Sequence, residues 1–243
     1  TFRNGDKSIT VIKSGDNYLM DDIILDMEQI NQMLGLTGNT STGSLTGTGQ
    51  TAATPWPNGI VYYKFAADVS TTKRNNITKA INLWRSQTRL KFYNVDSAGV
   101  SSSNYVLFQN STDMCAAALG MRGGSQPANI TDGCQWGPIA HEVGHAIGMV
   151  HEHQRADRNN EIIIDYSNIQ PDKTQNFDIK TGSLSGPLDF NSIMMYESYS
   201  NFSIDDTKPA MTRLDGSTWE KQRDSLTTGD IGLVKRLYPA LYP

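Results

Sequence analysis

HEVGHAIGMVHEH, residues 141–153, contains all four histidines of the chain. It fits the pattern HExxHxxGxxHE. His141 and His145 are four residues apart, so on a helix they lie one turn apart on the same face. Glu142 follows the first of them, where its carboxylate reaches a water at a metal without being a ligand. Gly148 takes φ > 0 at no steric cost and turns the chain sharply as the helix ends. The turn brings His151 back to the same metal as a third ligand. Three protein ligands leave a fourth zinc position open, which marks a catalytic site rather than a structural one. Chance agreement at all six specified positions has a probability on the order of 10⁻⁷ for this composition. The stronger alternative is a zinc site that kept its ligands and lost its chemistry, and the presence of Glu142 argues against it.

Outside this run, bulk properties mainly exclude. The chain has 243 residues and a net formal charge of −4. That is long enough for a sizeable core, and it allows one domain in two lobes or a domain plus an extension. There is no basic stripe, so nucleic acid is not an expected partner. No apolar run approaches the length of a membrane span. Asn, Ser, Thr and Gly are plentiful and Lys is sparse, which suits an exported protein. Thr1 opens no signal peptide, so any export signal is expected to have been removed or to lie outside this chain. N-x-S/T sequons stand at Asn39, Asn76, Asn110, Asn129 and Asn201. Cys115 and Cys134 either pair or are buried thiols. With the histidine set complete a metal role is not needed, and in a secreted hydrolase a disulfide is expected.

One composition break stands out. Residues 37–54, TGNTSTGSLTGTGQTAAT, are small, polar and glycine-rich, and read as a linker or exposed loop. They separate an N-terminal segment too short for a core of its own from a larger body. The body opens with a strand at 59–66. A helix follows, with Ser70 or Thr71 as N-cap and Ile77, Ala80, Ile81 and Trp84 as its apolar face. LKFYNV and NYVLFQN read as further strands. The metal-binding helix is expected from about 137 to 148, and a last helix capped by Thr227 or Thr228 carries Ile231, Val234 and Leu237. The expected class is α+β, with a cleft between an upper lobe of strands and helices and a mostly irregular lower lobe.

HEVGHAIGMVHE resembles the metzincin zinc endopeptidases, and Glu152 after the third histidine resembles the astacin branch. HEHQRADR continues the likeness. SIMMY, residues 192–196, is similar to the astacin methionine turn, with Met195 where His is usual. INLWRSQTRLKF, CAAALGMRGGSQ and KQRDSLTTGDIGLVKRLYP resemble astacin segments as well, so the likeness spans about 56–239. Many animal astacins carry a second disulfide. This chain has two cysteines, which leans toward a bacterial member.

The resemblance implies a secreted, monomeric enzyme that cleaves polypeptides, with Zn²⁺ as cofactor and His141, His145 and His151 as ligands. Glu142 becomes the general base, and Met194 the methionine beneath the metal. Tyr196 becomes the tyrosine that leaves the metal to stabilise the oxyanion, and Glu152 the anchor of the mature N-terminus. Substrate would lie along an edge strand, placed here at 118–126. YLMDDIIL, residues 18–25, is similar to the prosegment motif whose aspartate blocks the metal. Asp22 matches it, with Asp21 where glycine is usual and Leu19 where Phe is usual. The implied division is a prosegment with activation linker at 1–52, held in the cleft until an activating protease cuts it, and a catalytic domain at 53–243. Arg223, in KQR, resembles the arginine that selects an acidic residue after the scissile bond; Arg213 is a weaker candidate. On chemistry alone Tyr196 is equally a packed aromatic, Glu152 a solvated carboxylate, Asp22 a strand-end acid and Arg223 part of a solvated basic run.

Overall fold

A computed structural model describes residues 1–5, 7–36, 53–180 and 187–243. Two short strands, β1 (Phe2–Asn4) and β2 (Lys7–Ile9), pair antiparallel at the N-terminus. The next three are β3 (Ile12–Ser14), β4 (Asn17–Met20) and β5 (Ile23–Leu25), followed by helix α1 (Met27–Leu34). The body contributes β6 (Ile60–Phe65), α2 (Thr71–Gln87), β7 (Lys91–Asn94), β8 (Tyr105–Asn110), β9 (Ala116–Ala118), β10 (Ser125–Ile130) and α3 (Trp136–Ala146). Beyond α3 lie β11 (Ile162–Ile164), β12 (Met211–Arg213) and α4 (Thr228–Leu237).

β3 to β10 form one sheet in the order β3-β4-β5-β9-β10-β8-β6-β7. Its centre alternates as a half-covered sheet should: Val61 and Tyr63, Val106 and Phe108, and Ala128 and Ile130 face inward. α2 covers that face with Ile77, Ala80, Ile81 and Trp84. Ser70 is its N-cap and accepts from the Lys73 N–H. The Trp84 indole donates to the Ala140 carbonyl at 2.8 Å, which fixes α3 on α2. The expected α+β class is the observed one, and the expected strands and helices of the body lie where the patterns put them. α3 ends at Ala146, short of the expected end at about 148.

Within the body's part of this sheet, β9 runs antiparallel to β10, with Ala128 opposite Ala117. The expected substrate edge at 118–126 needs correction. The outermost strand of the body is Ala116–Ala118, and most of 119–124 is a turn with positive φ at Gly120, Gly123 and Gly124. Three alanines without turn chemistry pair, whereas the glycines after them bend.

The N-terminal segment shares its apolar cluster with the body. Ile9, Met20, Ile23, Leu25, Ile30 and Leu34 pack as one cluster with Ala53, Leu119 and Val150 of the body. β5 lies parallel to β9, with Ile23 opposite Ala117 and Ile24 opposite Ala118. α1 is an addition to the expected elements. Asp26 and Gln29 make a capping box at its start, and Gly35 closes it in the left-handed region. The linker at 37–54 falls almost wholly outside the described residues. Among the described residues no helix is long and apolar enough to cross a membrane.

Candidate active site

α3 carries His141 and His145 on one buried face. The helix ends at a turn in which Gly148 has φ 106° and donates to the His145 carbonyl at 2.8 Å. An added Cβ at Gly148 would meet only ordinary contacts, so the backbone angle, not space, demands glycine. His151 follows, and the three rings converge: Nε2 of His141 lies 3.1 Å from that of His145 and 3.2 Å from that of His151. The other ring nitrogens are already engaged. His141 Nδ1 faces the Ile193 carbonyl and His145 Nδ1 the Met149 carbonyl, each at 2.7 Å, and His151 Nδ1 the Gln154 side-chain oxygen at 3.3 Å.

Donation from Nδ1 assigns the tautomer, so each Nε2 presents a lone pair to its neighbours. Asp22 enters the same point from the segment. Its Oδ1 is 3.0 Å from His151 Nε2 and 3.2 Å from His145 Nε2, and its Oδ2 is 3.3 Å from His141 Nε2. All four ligand atoms lie within 4.8 Å of one another. Asp22 Oδ1 is buried with no hydrogen-bond donor among the described residues. Three lone pairs and a carboxylate crowded at one point repel one another unless a cation sits among them, and this donor set suits zinc. Burial above all, with the Arg223 charge, holds the His141 imidazole down to about 3. Burial lowers His151 in the same direction. Neutral rings are the ligating form.

The loop 192–196 forms the floor. Met194 packs under α3 where Gly144 lacks a side chain; a Cβ there would stand 2.5 Å from the Met194 sulfur. The loop is held from α4, whose cap Thr227 and third residue Asp230 form a capping box. Asp230 also accepts from Ser192 Oγ at 2.6 Å and the Ile193 N–H at 3.1 Å. The last helix thus positions the carbonyl that orients His141, and such outer contacts are what fix metal ligands in place. Met195, where histidine is usual, is buried in the lower-lobe cluster with Phe177 and Trp219.

Glu142 is buried beside this centre, and its Oε2 has no partner among the described residues. Burial first, then the carboxylates of Asp22 and Asp21, push it well above the usual range, while Arg223 works the other way. Glu142, His141, Asp21, Asp22, Tyr196 and Arg223 share a cavity of about 300 Å³. The Tyr196 ring stacks on His153 at 4.4 Å and lies 4.5 Å from His151. Its hydroxyl donates to Asp21 Oδ2.

Sequence reasoning gives Asp21 no role beyond standing where glycine is usual. Its φ of 62° is the glycine-favouring value that signals a special position. Arg223 is half-buried and donates to the Met195 carbonyl at 2.9 Å. Arg213 lies elsewhere, stacked 4.2 Å over Phe190. Glu152 accepts from Arg155 at 2.7 Å and from the Asp189 N–H at 3.0 Å. Cys115 and Cys134 are joined in a disulfide beside the cavity.

Comparison with known proteins places this centre. The family model for astacin, a peptidase family, matches residues 48–239. The chain is 34% identical over 226 residues to flavastacin of Elizabethkingia meningoseptica, covering 90% of this chain and 50% of that protein. It is 33% identical over 193 residues to astacin-like metalloprotease toxin 1 of Loxosceles intermedia, covering 75% of this chain and 70% of the toxin. High choriolytic enzyme 1, a hatching-enzyme zinc protease of Oryzias latipes, superposes with a TM-score of 0.69 at 25% identity, covering 79% of this chain and 99% of that one. The chain therefore spans only half the length of flavastacin. The converging histidines, the glycine turn and the methionine floor lie within a match that covers most of the chain, and the chain belongs to the astacin family of zinc metalloendopeptidases.

Proposed function

We propose that this is a secreted, monomeric zinc endopeptidase in its latent form, with 1–52 as prosegment and linker and 53–243 as catalytic domain. One observation carries the reading: the segment that puts the Asp22 carboxylate among the three histidines also covers the free edge of β9. The same stretch fills both places that a polypeptide substrate needs. Its main chain occupies the same strand edge, in parallel direction, with the Ala117 N–H donating to the Asp22 carbonyl at 3.0 Å. An accessory segment outside the cleft would not account for that placement, and a decayed site would not require Glu142.

His141, His145 and His151 would hold the zinc, with Asp22 as fourth ligand in the latent state. Zinc held there would supply Lewis acidity for the scissile carbonyl and for water. Glu142 takes the proton of the attacking water and delivers it to the leaving amine. Tyr196, once free of Asp21, donates to the developing oxyanion. Met194 shapes the floor beneath the histidines. Cutting the linker, whose residues 37–52 lie outside the described ones, releases the segment. A new terminus then reaches Glu152, now engaged by Arg155. An activating protease of the surroundings makes the cut.

The test is to cut the full chain within 37–52, remove the released segment and assay casein hydrolysis with and without a zinc chelator. Activity that appears on cutting and disappears with chelation is expected; equal activity before and after cutting refutes latency. Tyr196→Phe in the cut enzyme should lower kcat more than it raises KM. One oxyanion donor is worth about 3 kcal/mol, roughly 10²-fold. Steady-state kinetics showing an unchanged kcat would remove Tyr196 from the chemistry.

Arg223 is proposed to select an acidic residue directly after the scissile bond, because it lines the cavity that also holds Glu142. Peptide-library profiling should find that preference, and Arg223→Ala should weaken it by about tenfold. A preference there for large apolar residues that survives the substitution would exclude this role.

A further inference from the structure

We infer that Arg122 is a specificity residue of the same cleft, binding an acidic side chain three or four positions before the scissile bond. The inference rests on the protease reading above. β9 has two ends. Met114 and Cys115, just before it, line the cavity that also holds Arg223. Arg122 lies past the other end, in the turn after Ala118. A peptide whose residue after the scissile bond sits at Arg223 therefore extends its N-terminal part along β9 toward Arg122.

The segment shows what Arg122 binds. Its Nε donates to Asp26 Oδ2 at 2.9 Å and its Nη2 to Asn17 Oδ1 at 2.7 Å, while Nη1 is buried with no partner among the described residues. Both side-chain partners belong to the segment, so its departure strips the guanidinium of these contacts. The turn that carries it touches the segment at Leu119, which bonds to Ile24 and Gln29, but Arg122 itself is also held from the body. The Arg122 N–H donates to Gln126 Oε1 at 3.0 Å, and Gln126 Nε2 donates to the Gly120 carbonyl at 2.6 Å, with Gln126 buried in the body.

Asp26 stands four residues from Asp22, about 13 Å in extended chain. The segment runs parallel to β9 and a substrate placed this way runs antiparallel, so a carboxylate at that distance upstream of the reacting bond would reach the same end of β9 and its fork of donors. Arg122 thus clamps the segment before activation and reads substrate afterwards.

The experiment profiles the full chain, cut within 37–52 and freed of the segment, on peptides that vary only three and four positions before the cleaved bond. Wild type should favour Asp or Glu over Asn or Gln by about tenfold. Arg122→Gln should abolish that ratio, and Arg122→Glu should invert it in favour of Lys or Arg. A merely structural role would leave the ratio intact while changing yield or rate. If wild type shows no acidic preference there, or the ratio survives in whichever variant folds, the inference is overturned and the protease reading stands. If cut wild type hydrolyses no peptide at all, the protease reading falls and this inference with it.

Discussion

Glu142→Ala, in the chain cut within 37–52, is expected to retain its zinc and to hydrolyse casein at least about 10²–10⁴-fold more slowly than wild type. Separation of the two readouts follows from the geometry. Glu142 is not among the four convergent ligand atoms, and the acceptors that orient the histidines, at Ile193, Met149 and Gln154, do not involve it. Its carboxylate is buried beside His141, and Oε2 is uncommitted among the described residues. A buried carboxylate with a free oxygen is costly for stability alone, and it suits a group that waits for a proton. Removing it should therefore leave the metal content of the purified protein unchanged, measured by elemental analysis. A variant that lost its zinc would make Glu142 structural, and one that hydrolysed casein at near wild-type rate would make the proposed base wrong.

What is legible in the sequence is what is local in the chain. The spacing of Ile77, Ala80, Ile81 and Trp84 is one helical face, and α2 buries those residues. The metal centre is legible because His141 and His145 are one helical turn apart and His151 follows just past the turn at Gly148. The parts that are not legible depend on pairings between distant residues. Nothing in residues 23 and 117 alone states that they lie side by side, since a strand edge accepts any extended chain. Asp230 looks like an ordinary helix-start acid, yet it holds the loop that orients His141. α1 escapes the reading although its signals are local: Asp26, Gln29 and Gly35 are a cap, a box partner and a stop. The aspartates just before it draw the reading toward a strand with an acidic end. Asp21 has no legible role because its partner, Tyr196, is 175 residues away.

In the uncut chain, Asp22→Ala should raise hydrolysis of a short quenched peptide at least about tenfold over uncut wild type, yet leave it below the cut enzyme. As the proposed blocking ligand, Asp22 would need no high intrinsic affinity for zinc, because its tether would hold it at an effective concentration in the millimolar range or above. Alanine removes that ligand and leaves the docking. The Ala117 N–H still meets the carbonyl of residue 22, and Ile23, Leu25 and Ile30 stay fully buried, each worth about 1.5–3 kcal/mol. The metal position opens while the edge of β9 stays covered, so small substrates gain more than casein does. Asp21 is proposed as the second half of the lock. Its left-handed backbone costs an ordinary residue roughly 1–2 kcal/mol, a strain that glycine would remove. Asp21→Gly should therefore keep the segment in place while freeing the Tyr196 hydroxyl, and the double variant should exceed Asp22→Ala alone in peptide hydrolysis and self-cleavage. If uncut wild type already matches the cut enzyme, there is no lock. If the cut wild type is active but the uncut double variant is as silent as the uncut wild type, occlusion of the strand edge, rather than the two aspartates, is what keeps the chain latent.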